Sequence, residues 1–424
     1  MVAEAPFTPS AAPVPQGAVY CQTLVIGAGP AGLSVGACLQ QAGLACMLLE
    51  QCSQPGSSWY QHYERLHLHT DKAHSALPFL PFPREYPRYP SRLQVISYLE
   101  NYARQFQLEP SFGQQVIAAR HVDGWWEVQT QDARYQSENL VVATGYNREP
   151  WMPVWPGQPS FQGAILHGAS YRQGEAFRGQ KVLVVGFGNS GGEIAMDLCE
   201  HGAMPSLSVR SAVNVIPREL FGIPILTIGI AQSRLPPRWA DALNAVILRI
   251  VVGDLTRYGL RKSARGPLSQ IHEQARVPLI DVGTIALIKQ GRITVCPGVE
   301  RFEGEAVVFT DSSLAKFDAV ILATGYRPRV NAFLEGALAA HDEHGTPSSS
   351  GCETAISGLY FCGYHVSATG MLREIGLEAR RICAAIARNP PQRGQRIAAK
   401  PLAAAFSAGT YFQSGSPTGR QSGG

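Results

Sequence analysis

Short apolar runs punctuate this chain, and two of them lead directly into glycine-rich loops. One reaches Gly27-Ala28-Gly29-Pro30-Ala31-Gly32, the other Gly186-Phe187-Gly188-Asn189-Ser190-Gly191, and each loop opens a stretch with helical patterning. A short apolar run bounded by turn residues reads as a buried strand, so the pattern predicts two strand–loop–helix units. Further strand-like runs lie at 114–119, 125–129 and 140–143, and a Pro-rich stretch at 77–90 precedes a helix capped by Ser91. The run 140–143 ends in Ala143-Thr144-Gly145, and 317–322 leads into Ala323-Thr324-Gly325-Tyr326. Both endings close a strand where the chain can cross between domains. The predicted fold class is α/β, with two Rossmann-like dinucleotide-binding domains. The first is discontinuous, 18–160 plus 326–390, and the second, 161–325, is inserted into it. Residues 1–17, rich in Ala and Pro, and 391–424, rich in Gly, Ser, Gln and Ala, read as an unstructured leader and tail.

The two loops share one physical logic. The first glycine permits the tight turn, the second lets backbone approach a pyrophosphate, and the third lets the helix pack closely on the strand. Pro30 suits a first helical turn, where its missing N–H forfeits no intrahelical bond. The units differ in the residue that ends the following strand. After the run 44–49 comes Glu50, about 20 residues beyond the first loop, where a carboxylate accepts both hydroxyls of an unphosphorylated ribose. After Ser206-Leu207-Ser208-Val209 comes Arg210, where a guanidinium grips a 2′-phosphate through two parallel bonds. The first unit therefore reads as a site for FAD, using Gly27, Gly29, Pro30, Ala31, Gly32, Glu50 and Gln51. The second reads as a site for NADPH, using Gly186, Gly188, Asn189, Ser190, Gly191, Arg210 and Ser211. Thr144, Gly145, Thr324 and Gly325, at the two strand ends, join the cofactor set. Arg218 reads either as a second phosphate contact or as a solvated arginine, and Val116 either as a neighbour of adenine or as plain core.

Composition narrows the class. At 424 residues, 45% hydrophobic and 16% charged, the chain can bury the cores of two domains. Its net charge of +4 is scattered, without dense Lys/Arg runs interleaved with aromatics, which argues against nucleic acid and leaves a small-molecule substrate as the expected partner. Nine cysteines without a CxxC pair argue against a zinc site and a redox-active disulfide, and fit a reducing cytoplasm. The leader lacks the basic and apolar regions of a secretory signal. No apolar run approaches the ~20 residues of a membrane span. An insertion over about 219–275 holds the apolar stretches 221–231 and 242–252, the latter broken by Asn244 and Arg249. Packing as ordinary core is the favoured reading, peripheral membrane contact the other.

Between the two units lies Phe161-x-Gly163-x-x-x-His167-x-x-x-Tyr171. With this pattern the chain resembles the class B flavin-dependent monooxygenases. Within them it is similar to the YUCCA-type branch, which converts indole-3-pyruvate to indole-3-acetate. The resemblance runs over about residues 20–388. It is carried by Tyr63-Glu64-Arg65-Leu66-His67-Leu68-His69, Pro81-Phe82-Pro83, Pro217-Arg218-Glu219, Asp281-Val282-Gly283-Thr284 and Phe317-Asp318-Ala319-Val320-Ile321-Leu322. Tyr171-Arg172 stands where Baeyer–Villiger members carry Trp, which turns the reading away from them. Gly56-Ser57-Ser58-Trp59 replaces the usual Gly-Gly-x-Trp and keeps Trp59. His69-Thr70-Asp71-Lys72 aligns with the Asn-Gly-Pro-Lys of N-oxygenating relatives near the flavin. The segment from Gly363 to Met371 departs from the plant pattern and reads as bacterial.

The resemblance implies that NADPH reduces FAD, that the oxidised nicotinamide stays bound, and that dioxygen adds at flavin C4a to give a peroxide that oxygenates the substrate. The protein then has to exclude water and hold the N5 proton, so few acid–base groups are expected. Neither a Gly-x-Ser-x-Gly elbow nor a His-Glu-x-x-His is present. Candidate catalytic residues are Asn147 and Asn189, on loops facing the domain junction, and His69. His167 reads as a hydrogen-bonded core histidine in preference to a nicotinamide contact. Gly370 and Met371 open the last helix, whose dipole either stabilises negative charge on reduced flavin or belongs to a plain structural cap. The expected function is an NADPH- and dioxygen-dependent FAD monooxygenase that oxidatively decarboxylates an aromatic 2-oxo acid such as indole-3-pyruvate. The alternatives are N- or S-oxygenation of a small soft nucleophile, and a non-catalytic nucleotide-binding redox sensor.

Overall fold

The computed structural model describes residues 17–388; the tail reading, and the leader reading apart from Gly17, fall outside them. The chain begins with strand β1 (Val19–Ile26), helix α1 (Pro30–Gln41) and strand β2 (Cys46–Leu49), the first strand–loop–helix–strand unit. Helix α2 (Arg92–Gln105) follows, then strands β3 (Val116–Val122), β4 (Trp125–Thr130) and β5 (Arg134–Val142). Ser91 starts α2 through a capping box, its hydroxyl accepting from Gln94 N while the Gln94 side chain accepts from Ser91 N. The sheet order is β2-β1-β5-β4-β3, parallel across β2-β1-β5 and antiparallel beyond. Leu24, Val25, Leu140 and Val141 are wholly buried, as befits parallel strands covered on both faces.

The second sheet uses β6 (Ala164–His167), β7 (Lys181–Val185), β8 (Met204–Ser208), β9 (Thr294–Cys296) and β10 (Ala319–Leu322), with α3 (Asn189–Glu200) between β7 and β8. Its order is β9-β8-β7-β10-β6 and every pairing is parallel. Between β8 and β9 the chain leaves the sheet for α4 (Ile225–Gln232), α5 (Pro237–Val251) and α6 (Pro267–Gln274). After β10 it returns to the first sheet, where β11 (Leu359–Phe361) pairs with β5, and it ends in α7 (Met371–Arg388) packed against α1. Both glycine loops thus lie at carboxyl ends of parallel strands, where open α/β sheets hold their ligands.

Candidate functional site

The glycines of the two loops carry different burdens. Gly27 and Gly186 have φ of +102° and +122°, and a Cβ on either would lie 2.6 Å from Ala143 O or 2.4 Å from Ala323 O. A Cβ on Gly32 would sit 1.8 Å from Gly27 O, and one on Gly191 2.2 Å from Gly186 O. These four positions serve the protein's own packing. Gly29 and Gly188 do not, because a Cβ there meets nothing within 4 Å. Bare backbone at the amino-terminal ends of α1 and α3 therefore faces open space on the ligand side, which is the cradle a dinucleotide pyrophosphate requires. The buried Glu50 carboxylate is fixed by Ala28 N at 2.7 Å and Cys52 N at 3.0 Å. Arg210 lies just past β8, exposed, and its carbonyl accepts from the Arg261 guanidinium at 3.1 Å. That bond brings a second cation to the same loop, a neighbour the sequence did not reveal across 51 positions. The residues present fit both nucleotides.

From the first loop a cavity of about 700 Å³ runs past Trp59, His69 and Thr70 to Gly370 and Met371. Helix α3 braces one wall with acids at one-turn spacing. Glu193 Oε2 accepts from Tyr63 Oη at 2.7 Å, and its Oε1 lies 2.9 Å from His69 Nε2. One turn on, Asp197 accepts from Tyr171 Oη at 2.6 Å, and Glu200 pairs with Arg65. A carboxylate only accepts, so His69 carries its proton on Nε2. Burial, with the Glu193 carboxylate alongside, pushes the Tyr63 phenol well above its ordinary value and keeps it a donor. Burial and Asp197 do the same to Tyr171. Sequence reasoning singled out His69 but missed Glu193; the available signal was a run of acids along a helix that is otherwise buried.

The other candidates fall as follows. Asn147 is exposed on the loop after β5 and lines the cavity. Asn189 is not on a free loop: it is the first residue of α3, and its Oδ1 accepts from Ile280 N at 2.8 Å, which leaves only its amide N–H groups to face a ligand. Arg218 is half-buried, its guanidinium lying 4.1 Å over the Tyr89 ring. His167 is buried, with Gly325 O 3.1 Å from Nε2 and Ala169 N donating to Nδ1, and burial lowers its pKa. Thr144 Oγ1 bonds Tyr364 Oη at 2.8 Å, and Thr324 bonds Trp151 O. Val116 is buried at the start of β3 and lines the cavity, as do Gln51 and Ser190. Gly370, at φ +89°, directly precedes α7.

The insertion corrects the expectation of ordinary core. Leu226 and Ala240 are the only fully buried residues of α4 and α5. The inner faces of both helices line the cavity, and the outer face of α5 carries Trp239, Leu243, Val246 and Ile250, which are 62–77% exposed. A purely apolar count does not distinguish residues that fill a core from residues that wall a hollow. No helix among the described residues is long and apolar enough to cross a membrane.

This geometry, two nucleotide cradles meeting over one hydrophobic cavity, has counterparts among known proteins. A family model described as pyridine nucleotide-disulphide oxidoreductase matches residues 24–216. Indole-3-pyruvate monooxygenase YUCCA1 of Oryza sativa subsp. japonica is 42% identical over 319 residues, 74% of this chain and 79% of the relative. The chain belongs to the YUCCA-type flavin-dependent monooxygenases. Indole-3-pyruvate monooxygenase YUCCA6 of Arabidopsis thaliana is 41% identical over 74% of this chain and 77% of its own length. The fold matches a flavin-containing monooxygenase from Stenotrophomonas maltophilia with a TM-score of 0.66 at 23% identity, covering 88% of this chain and 99% of that one. It also matches cyclohexanone monooxygenase from Rhodococcus sp. Phi1 bound to NADP+, at 0.68 and 18%, covering 88% and 85%. As a member of the family the protein is an oxidoreductase that uses FAD, NADPH and dioxygen. The nine cysteines are all free thiols, and Cys52 is among the residues that line the cavity.

Proposed function

We propose that this monooxygenase oxidatively decarboxylates an aromatic 2-oxo acid such as indole-3-pyruvate. The observation that carries the reading is the apolar arm of the cavity under α4, which opens beside Thr70 and Gly370: a Cβ on Gly370 would lie 3.2 Å from Leu226 and 3.3 Å from Thr70. Leu226, Ile228, Ile247 and Leu248 line that arm, surroundings suited to an aromatic side chain, and relatives about 40% identical are named for indole-3-pyruvate. FAD, when bound, supplies the electrons that activate dioxygen. The amino-terminal end of α1, with Gly29, Pro30 and Ala31, receives its pyrophosphate, Glu50 accepts from the ribose, and Val116 flanks adenine. Trp59, His69, Gly370 and Met371 wall the ring end, where the start of α7 favours negative charge. Gly188 and Ser190 at α3 receive the NADPH pyrophosphate, and Arg210 with Ser211 its 2′-phosphate.

Glu193 and Tyr63 hold His69 in one orientation with its Nε2 proton committed, so the ring presents Nδ1 as its remaining polar atom. The apolar lining excludes water from the reacting atoms. In balance, the bond between the keto carbon and its carboxyl breaks and CO2 leaves. One atom of dioxygen enters the new carboxylate and the other becomes water, with NADPH and a proton supplying the reducing equivalents. The test is product analysis after aerobic incubation of the flavin-loaded enzyme with NADPH and, separately, indole-3-pyruvate, a tertiary amine and a thioether. Indole-3-acetate with equivalent CO2 is expected; exclusive formation of an N-oxide or sulfoxide overturns the reading.

A further inference from the structure

The inner faces of α4 and α5 are apolar apart from three side chains, Gln232, Asp241 and Asn244. Asp241 is committed: its two oxygens accept from Leu268 N and Ser269 N, each at 2.9 Å, and so cap α6. The two amides bond each other reciprocally. Asn244 Nδ2 donates to Gln232 Oε1 at 2.8 Å, and Gln232 Nε2 donates to Asn244 Oδ1 at 3.1 Å. A primary amide has two donor hydrogens and two acceptor lone pairs, so each keeps one N–H and one lone pair after this exchange. The arrangement is a rigid polar edge in an otherwise hydrophobic chamber, and reversing both amides leaves it unchanged.

Its position relative to the flavin-side loops is set by α4. Leu226 and Thr70 both close on Gly370, where a Cβ would lie 3.2 Å from the first and 3.3 Å from the second, and Gly229 packs so tightly on Ala368 that a Cβ there would lie 2.9 Å from its carbonyl oxygen. Ile225, Gly229 and Gln232 share one face of the helix at one-turn spacing. Six residues of helical rise, about 9 Å, separate Leu226 from Gln232. That is the reach of an aromatic ring whose acid-bearing side chain lies at the flavin end. Among the described residues the arm holds no Lys or Arg, so a carboxylate belongs at the other end, among His69, Thr70 and Asn189.

Resting on the reading above, we propose that the chamber under α4 and α5 seats the substrate's aromatic ring. The Gln232–Asn244 pair recognises one hydrogen-bonding group on that ring, so the preferred substrates are indolic or phenolic rather than purely hydrocarbon. A ring N–H or O–H donates to the free carbonyl lone pair; an isostere lacking it leaves that edge desolvated and unpaired, which a site built for a hydrogen bond penalises heavily.

The experiment compares indole-3-pyruvate with its benzothiophene isostere, and 4-hydroxyphenylpyruvate with phenylpyruvate, in the flavin-loaded wild-type enzyme and in Gln232→Leu, Asn244→Leu and the double variant, per bound flavin. Wild type is expected to prefer the hydrogen-bonding member of each pair by about tenfold or more in kcat/KM. In the variants that ratio collapses towards one. Binding of free indole and of benzothiophene, followed by perturbation of the flavin spectrum, gives the same comparison without turnover. Loss of all 2-oxo acid turnover with indole still preferred in binding defeats the decarboxylation reading and leaves the amide pair standing. Equal treatment of both members of each pair by wild type, in rate and in binding, overturns the amide pair whether or not the variants fold.

Discussion

The second glycine of each loop allows the nucleotide assignment to be tested apart from folding. Gly29 sits at φ −76°, ψ −173° and Gly188 at φ −113°, ψ −173°, backbone that alanine adopts without strain. A methyl group at either position meets no protein atom within 4 Å. Gly29→Ala and Gly188→Ala should therefore leave the urea midpoint of the flavin-free protein unchanged, or raise its stability by about 0.4–1 kcal/mol through the unfolded chain. The same methyl holds a pyrophosphate away from the bare backbone. Loss of one charged hydrogen bond is worth about 1.5–3 kcal/mol, or roughly 10- to 150-fold in affinity. Gly29→Ala should then weaken FAD, read by titration of the stripped protein with flavin. Gly188→Ala should retain FAD and weaken NADPH by a similar factor, read from the concentration dependence of anaerobic flavin reduction. Gly32→Ala and Gly191→Ala are the contrast: with backbone oxygens 1.8 and 2.2 Å from the new methyl, they should destabilise the flavin-free protein itself. Native FAD affinity in Gly29→Ala, or loss of FAD instead of NADPH in Gly188→Ala, would refute the assignment of the two loops.

Arg210→Ser should weaken NADPH by about 1.5–3 kcal/mol and leave NADH nearly unaffected, because only the charged bonds to the 2′-phosphate disappear; equal losses for both nucleotides in steady-state kinetics would contradict its role. His62 lies in the cavity wall, where burial, then the Arg172 and Arg92 cations, lower its pKa below the ordinary 6.5. The unfolded chain then binds the extra proton between the lowered folded value and about 6.5, so stability is fully present above that pH and falls as pH drops through the window. His62→Gln should flatten this acid-side loss by up to about 1.4 kcal/mol per pH unit, measured as urea midpoints of the holoenzyme from pH 7.5 to 5.5. An unchanged slope would show that His62 does not drive it.

What was legible in the sequence is what the backbone itself demands. The positive φ of Gly27 and Gly186, the close helix packing at Gly32 and Gly191, and the Ser91 cap each require a particular residue type at a particular place, so a single sequence displays them. The positions of Glu50 and Arg210 just past strand ends were legible because strand length fixes where the following residue emerges. The Glu193, Tyr63 and His69 contact was not, since it joins positions 124 and 130 residues apart and depends on how α3 faces the segment before α2. The apolar helices α4 and α5 misled for a different reason: hydrophobic residues around a cavity and hydrophobic residues inside a core have the same periodicity. Directly after Gly188, Asn189 reads as a loop residue, whereas α3 begins at it and its side chain anchors Ile280.

Oxidative decarboxylation as proposed spends NADPH-derived electrons and dioxygen on inserting one oxygen atom into an aromatic 2-oxo acid. Incubation of the flavin-loaded enzyme with NADPH, indole-3-pyruvate and 18O2, followed by mass spectrometry of the acid formed, tests it most directly. One heavy oxygen in the carboxylate of indole-3-acetate, in proportion to NADPH consumed and undiminished by catalase, is expected. NADPH oxidation that yields the labelled acid only through free hydrogen peroxide, so that added catalase abolishes it, would overturn that reaction.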